Sequence, residues 1–441
     1  MDEASREALA VRTVEMTAGA GEAIVTAEEL GLTRFTNNAI HQNIAERNAS
    51  VRIRTIVDGK TGVAATNDHS DAGLRALVER ARQLASVAPR DEAATLVQSR
   101  RPAVPAGAYD GPTARFTPQE RALRASEIFA LMEHSGLRAA GYVASQRHAT
   151  TIANSLGTLA SYDGTTVAAN LKASGADSTG YAEFYGNAAS GLDAERAAAI
   201  AAQKALLSAM PGTVEPGTWT VILEPAAFGE LLAYLTGHFS AQSYEEGSSL
   251  VTGVLGSSVA GDNVTIYDDF SHPLFAGRPF DDEGVPTERV ALVDRGIARS
   301  VVTDSRYAAR LGCANSGHAS PAPSAHGPQV RYAVVEPGEK SLDRLIAETE
   351  RGLLVTRFWY IRPVDQRRTI VTGMTRDGTF LIEGGRITSG VRNLRFNQSI
   401  IDALAQCEFS DRQERTGGYS YDSVVPAVKI PAFHFTSGTD F

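Results

Sequence analysis

Apolar residues at Ala8, Leu9, Val11 and Val14 fall at helical spacing and predict an amphipathic helix over residues 4–17, ended by Gly19 and Gly21. The pattern then shortens to a period of two. Runs at residues 23–26, 33–36, 39–45, 50–57 and 61–66 read as short strands, with turns at Gly31, Asn37-Asn38, Arg47-Asn48 and Asp58-Gly59. Asp-Gly is a good tight-hairpin signal. Asp71 then caps a second helix, whose Leu74, Leu77, Ala81 and Leu84 keep helical spacing down to Ala88.

The same order recurs after a linker at 101–118 that is rich in proline and glycine. Thr117 caps a helix with Pro118 at its first position, and the helix runs through Leu123, Ile128 and Leu131. Strand-like runs follow at 141–145, 149–153, 158–162, 165–173 and 178–185, separated by Asn154-Ser155, Asp163-Gly164 and Gly175. A helix over 193–207 closes this second unit. An internal duplication is the economical explanation for the recurrence, and a chance match of two α+β units would give the same pattern.

Pro211-Gly212 and Pro216-Gly217 mark the next junction. A strand at 219–223 leads into a helix on which Phe228, Leu231, Leu232 and Leu235 form one apolar stripe. Residues 320–328 have the composition of a mobile loop, and Ser341 opens a helix through Leu345 and Ile346 that ends at Gly352. Runs at 355–364, 367–376, 379–383, 386–396 and 428–435 read as a predominantly antiparallel sheet, with a hairpin at Glu383-Gly384-Gly385. The fold class is therefore α+β: two helix–meander–helix units, then a largely antiparallel β-rich C-terminal domain. The boundaries read from the junctions are 1–100, 113–210 and 217–441.

A length of 441 residues suits about three domains. No segment approaches the roughly 20 apolar residues of a membrane span. Asp2, Glu3, Arg6, Glu7, Arg12 and Glu15 argue against a secretory signal. With only Cys313 and Cys407 there is no disulfide framework, which points to a reducing compartment and a cytoplasmic location. A net charge of -9 argues against a nucleic-acid partner. No P-loop or dinucleotide fingerprint follows a strand, and Ser248 and Ser249 lack a nucleophile-elbow context.

The unusual residues concentrate between Gly237 and His318. Asp281, Asp282 and Glu283 precede Gly284, and three carboxylates at a turn offer oxygen ligands to a hard cation. With Gly284 and Pro286 making the turn and Arg278 and Arg289 nearby, a structural ion-paired turn is the better reading.

The strings PFDDEGVPTERVALVDRGI, SRYAARLG and SGHA, in that order and spacing, resemble the C-terminal domain of the TldD/PmbA family of peptide-processing proteins. TRFTNNAIHQN and VDGKTGVAATND look like the family's N-terminal domain, and GLLV with DGTFLIEGGRI looks like its C-terminal sheet. Some family members have carried the name "modulator of DNA gyrase", yet nothing in this chain looks built to touch DNA. Active members resemble zinc peptidases: a helix carries His-Glu-x-x-x-His, and a cysteine near the carboxyl end completes the site. The histidines ligate zinc, which lowers the pKa of its water to about 7, and the glutamate accepts that proton.

The matching window here is Ala233-Tyr-Leu-Thr-Gly-His238, in which only the last histidine survives. No His-Glu dipeptide exists anywhere in the chain. The family's cysteine would fall in 416–426, where the sequence is TGGYSYDSVVP; Cys407 lies earlier and reads as a buried apolar residue, and Cys313 beside Gly312 likewise as core. His238 is the single candidate ligand and is more readily a hydrogen-bonded structural residue. A site drawn from His238, His318 and Cys313 is conceivable but cannot be inferred from spacing. His69, His134 and His272 receive no role.

The pattern resembles the PmbA (TldE) branch, with the family signature retained and the zinc motif lost. The resemblance implies a non-catalytic subunit, without a cofactor of its own, that pairs as a heterodimer with a TldD-like metallopeptidase carrying the zinc. Unfolded polypeptides or peptide precursors would be its substrates, and no membrane or nucleic acid a partner. Two other readings stay open: a stand-alone metallopeptidase or hydrolase with a relocated site, and a peptide-binding carrier module.

Overall fold

The computed structural model describes residues 1–417 and 422–439. The first unit comprises α1 (Glu3–Glu15), β1 (Ala20–Thr36), β2 (Ala39–Val57), β3 (Lys60–Thr66) and α2 (Asp71–Val87). After the short α3 (Gly111–Ala114), the second comprises α4 (Pro118–His134), β4 (Arg138–Asn154), β5 (Leu159–Ser174), β6 (Thr179–Gly186) and α5 (Ala194–Leu207). Thr117 and Glu120 close a reciprocal capping box at the start of α4. Ser70, one residue before the predicted cap, accepts the Gly73 N–H at the start of α2.

Each unit has three long strands rather than five short ones. Gly31 lies mid-strand, paired with Ala45 and Ser145, and Arg47-Asn48 and Asp163-Gly164 likewise continue their ladders. These residues mimic turn signals for another reason. A Cβ on Gly31 would sit 2.3 Å from the Arg121 guanidinium, and one on Gly164 2.5 Å from His148 Nε2, so both glycines mark close approach of a side chain. Asp163 is held in its strand by Arg6 and Arg147. Asn37-Asn38 and Asp58-Gly59 are true turns, two-residue hairpins with positive φ at both positions, and Asn154-Ser155 and Gly175 fall at the β4–β5 and β5–β6 connections.

The two units share one six-stranded sheet, ordered β3-β2-β1-β4-β5-β6, because β1 pairs antiparallel with β4. Glu29 faces Arg147 at the centre of that pairing. Contacts repeat on either side of it. Arg6 of α1 donates from Nε to Thr151 Oγ1 on β4, and Arg121 of α4 donates from Nε to Thr33 Oγ1 on β1, each at 3.2 Å. Both arginines are almost fully buried, so each first helix is anchored into the other unit's strand.

The C-terminal region contains β7 (Gly217–Leu223), α6 (Pro225–Thr236), α7 (Ala241–Glu245), β8 (Ile266–Asp268), β9 (Val290–Asp294), β10 (Ile297–Ala298), α8 (Ser305–Leu311), β11 (Ala333–Val335) and α9 (Leu342–Ala347). It ends with β12 (Arg351–Asp365), β13 (Ile370–Glu383), β14 (Arg386–Gly390), β15 (Leu394–Ser399), α10 (Ile400–Ala403), β16 (Glu408–Gly417) and β17 (Asp422–Gly438). Strands dominate and most pairings are antiparallel; β7–β12 and β11–β17 are parallel.

The path β17-β15-β13-β12-β7 closes on itself because β17 also pairs with β7. Phe358, Phe396, Phe433 and Phe435 fill the centre, with ring centroids 4.6 to 5.8 Å apart. Several sequence-predicted boundaries shift. α9 ends at Ala347, so Gly352 belongs to β12, where a Cβ would stand 2.7 Å from the Thr220 carbonyl. The predicted run 367–376 begins in the turn before β13 and joins 379–383 on that single strand, residues 386–396 divide into β14 and β15, and β16 gave no alternating pattern to detect.

Candidate functional site

The apolar stripe predicted on α6 is buried, with Phe228, Leu231, Leu232 and Leu235 inside the C-terminal core. This orientation places the window 233–238 at the helix end and in the 3-10 turn Gly237–Phe239. Tyr234 donates its phenol proton to the Ile361 carbonyl at 2.7 Å. His238 is 8 % exposed, and its Nδ1 accepts the Leu250 N–H at 3.2 Å. Burial lowers its pKa, so the ring is held neutral. Ser249 donates from Oγ to the His238 carbonyl at 2.6 Å, which gives the glycine-serine turn a structural duty.

This donor set does not fit zinc. Ala233 has no ligating atom, Tyr234 is committed to a backbone carbonyl, and one nitrogen of His238 is already an acceptor. His318 lies elsewhere: it is fully buried, its Nδ1 is 2.8 Å from the Ser316 carbonyl, and its Nε2 faces Asp268 Oδ1 at 3.2 Å. The geometry of that last contact does not make a hydrogen bond. Cys313 is exposed beyond Gly312, the left-handed cap of α8, which corrects its assignment to the core. Cys407 is buried as expected, just after α10, and burial pushes its thiol up to about 12. Among the described residues no group of three or more His, Cys, Asp or Glu is placed to hold a metal ion. Within the window 416–426, residues 418–421 lie outside the described residues.

A cavity of about 450 Å³ opens beside His238 and Tyr234, walled also by Glu246, His326, Gln329 and Asp365. The 320–328 loop forms one side of it; Gln242 donates to the Ala325 carbonyl at 3.2 Å and Ser320 to the Gly327 carbonyl at 2.8 Å.

The acidic run is a buried, fully engaged turn. Asp281 Oδ1 accepts the N–H groups of Glu283 and Val285 at 2.9 Å, and its Oδ2 accepts that of Ala319 at 2.8 Å. Burial, with Glu283 beside it, pushes the Asp281 carboxyl up to about 7. Asp282 contacts Arg278 at 3.1 Å and also pairs with Arg331. Burial would raise its pKa, but the two guanidiniums hold it below the usual range. Glu283 accepts from Ser305 N and Oγ at 3.0 and 2.6 Å and meets Arg54 of β2 at 3.5 Å. Arg278 is a partner as predicted; Arg289 instead pairs with Asp269 at 3.4 Å and covers the Tyr267 ring. Arg54 and Arg331, the partners that sequence reasoning missed, are distant along the chain and carry no local signal.

Through Arg54 the run ties the six-stranded sheet to the C-terminal region. Above this seam a cleft of about 540 Å³ runs between them, lined by His148, Tyr162, Arg278, Arg331 and Tyr332. A second cavity of about 730 Å³, sharing Tyr142 with the first, contains Tyr181, Glu230, Arg357 and Trp359. Burial pushes Glu230 up to about 8, even with Arg357 at 3.7 Å.

Comparison with known proteins yields three consecutive matches. Residues 21–85 match the family model described as PmbA/TldA metallopeptidase domain 1, 115–209 the central domain, and 216–437 the C-terminal domain. A metalloprotease of Methanothermobacter thermautotrophicus is 28% identical over 198 residues, which cover 43% of this chain and 41% of that protein. A metalloprotease TldD homolog of Haemophilus influenzae is 27% identical over 222 residues, 48% of this chain and 45% of that protein. The aligned stretch thus spans less than half the length of these curated relatives.

Among solved structures, TldE from Thermococcus kodakarensis superposes with a TM-score of 0.87 at 21% identity, covering 98% of this chain and 99% of that one. A putative modulator of a DNA gyrase from Thermotoga maritima gives 0.86 at 20%, covering 98% and 100%. At these identities the likeness establishes the fold.

Proposed function

The chain belongs to the PmbA/TldA metallopeptidase family, and from that premise we propose that it is the non-catalytic half of a zinc metallopeptidase complex. The carrying observation is the end of α6. Where an active member presents two zinc-binding histidines and a basic glutamate, this helix and the 3-10 turn after it present Ala233, a hydrogen-bonded Tyr234 and a single buried His238. The chemistry then belongs to a TldD-like subunit that brings the zinc, and this chain supplies walls for the peptide.

The peptide reading draws support from the two adjoining cavities, which suit an extended chain. Past Val355 the side of β12 not paired with β13 is engaged by α6, where Glu230 accepts the Phe358 N–H at 2.8 Å and Tyr234 donates to the Ile361 carbonyl, so a peptide would lie in the cavities rather than pair with that strand. Unfolded polypeptides and peptide precursors fit that mode. No helix among the described residues is long and apolar enough to cross a membrane. Two unpaired cysteines suit a reducing, cytoplasmic setting.

Mixing the purified chain with a TldD-like metallopeptidase bearing His-Glu-x-x-x-His, followed by size-exclusion chromatography with light scattering, tests the pairing. We expect co-elution as a one-to-one complex. Separate elution at micromolar concentration, with peptide hydrolysis by the zinc subunit unchanged by this chain, would remove the proposal.

A further inference from the structure

We propose that the cleft between the six-stranded sheet and the C-terminal region is a carboxylate-binding site, in which Arg278 and Arg331 hold the terminal or side-chain carboxylate of a peptide. This rests on the peptide-handling reading above and adds a subsite to it. The arrangement of donors carries the inference. Both guanidiniums line the cleft and share one carboxylate, that of Asp282, while Arg415 on the same lining is paired to Asp422.

Their donors are also only partly used. Among the described residues Arg331 donates from Nη2 to Asp282 and to the Ala319 carbonyl, and Arg278 meets Asp282 through Nη2. Among the described residues no acceptor engages Nε or Nη1 of either side chain. The neighbouring Asp281 spends its oxygens on three backbone N–H groups and takes no hydrogen bond from either arginine.

The wall opposite is consistent with an anion. His148 makes no hydrogen bond to the described residues and stacks obliquely on Tyr162 at 5.8 Å. Burial first, then the positive fields of Arg415 and Arg278, lower its pKa to about 4, so its ring is neutral and offers one N–H. The other walls include Tyr142, Tyr185 and Tyr332, rings that suit an uncharged chain leading up to the anion. With Glu28 and Asp422 on the same lining the cleft carries no net excess of positive charge, which favours a monoanion held by directional donors over a dianion such as phosphate. The volume falls within the range of about 300–1,000 Å³ typical of small-ligand sites.

Calorimetric titration of the full chain with four ligands tests this: a neutral acetylated tetrapeptide amide, the same peptide as a free acid, an amide carrying one internal aspartate, and inorganic phosphate. We expect at least one carboxylate peptide to bind tenfold or more tightly than the neutral amide, and the two acidic peptides distinguish a terminal from a side-chain source. Arg278→Gln should lower carboxylate binding to the level of the neutral amide without weakening the amide. Equal binding of all three peptides in the unmodified chain, a comparison that stands even if the variant fails to fold, would overturn the carboxylate site while leaving peptide handling intact. Phosphate binding tighter than every peptide would also overturn it. Binding of no peptide would remove both this site and the peptide reading on which it rests.

Discussion

Arg54 is the side chain on which the union of the two halves most depends. It contacts Glu22 at 2.9 Å on its own sheet and Glu283 at 3.5 Å across the seam, with all three side chains largely buried. Truncating a buried partner strands the opposite charges, so Arg54→Met should cost about 3–5 kcal/mol in chemical denaturation. Glu22→Gln should cost no more than about 1 kcal/mol near neutral pH. Burial has already pushed the Glu22 carboxyl up to about 7, and an uncharged isostere resembles its protonated form. Equal losses from the two variants would contradict this.

Glu230 makes the pH dependence of a buried carboxyl testable. Its folded pKa, about 8, lies above the ordinary value of 4.5. Below about pH 4.5 both folded and unfolded chains hold the proton and the group is neutral to stability. Between 4.5 and 8 the folded chain keeps a proton that the unfolded chain releases, so this group's contribution falls as pH rises. Glu230→Gln removes the titration, and its stability relative to the unmodified chain should climb from pH 5 to pH 8. A flat or falling difference in urea titrations would contradict that sign.

At the scale of elements, the two N-terminal units solve helix-on-sheet packing with the same device. A Cβ on Gly62 of β3 would stand 1.9 Å from the Ala81 carbonyl and 2.5 Å from Ala85 N of α2; one on Gly180 of β6 would stand 2.1 Å from the Ala201 carbonyl and 2.5 Å from Ala205 N of α5. Both glycines let a helix backbone rest directly on a strand. Gly62→Ala and Gly180→Ala should therefore each cost about 3 kcal/mol, the upper range of overpacking, with similar drops in melting temperature. Tolerance of either change would show that the helices can retreat. The reciprocal Arg6 and Arg121 anchors follow the same pattern of one device used in both units.

Local periodicity was enough to place the long helices α1, α2, α4, α5 and α6, the hairpins at Asp58-Gly59 and Glu383-Gly384-Gly385, and the apolar stripe of α6, but not the short α3, α7 and α8. It failed where a residue's reason lies across the fold. Gly31 and Gly164 look like turns along the chain because sequence does not reveal the Arg121 and His148 side chains passing over them. The exposed middle of β2 breaks the alternation although its ladder continues. At the site, the altered window 233–238 is legible because a metal motif is a matter of spacing within one helix. The partners Arg54 and Arg331 are not, since only the tertiary fold brings them to the acidic turn.

At the scale of the molecule, an arginine-threaded sheet and a phenylalanine-filled closed sheet meet along a charged seam, with the cavities between and beside them. The fold gives this chain the architecture of its metallopeptidase relatives, while the end of α6 lacks their donor set. The central claim is a division of labour: peptide walls here, zinc and proton transfer on another subunit. Zinc measured by elemental analysis on the purified chain, alone and in complex with a His-Glu-x-x-x-His-bearing TldD-like subunit, with hydrolysis of an unfolded polypeptide followed on the same samples, tests it most directly. Neither zinc nor hydrolysis is expected from the chain alone, and one zinc with activity is expected per mixed complex. Stoichiometric zinc and hydrolysis from the single chain, abolished by His238→Ala, would contradict it.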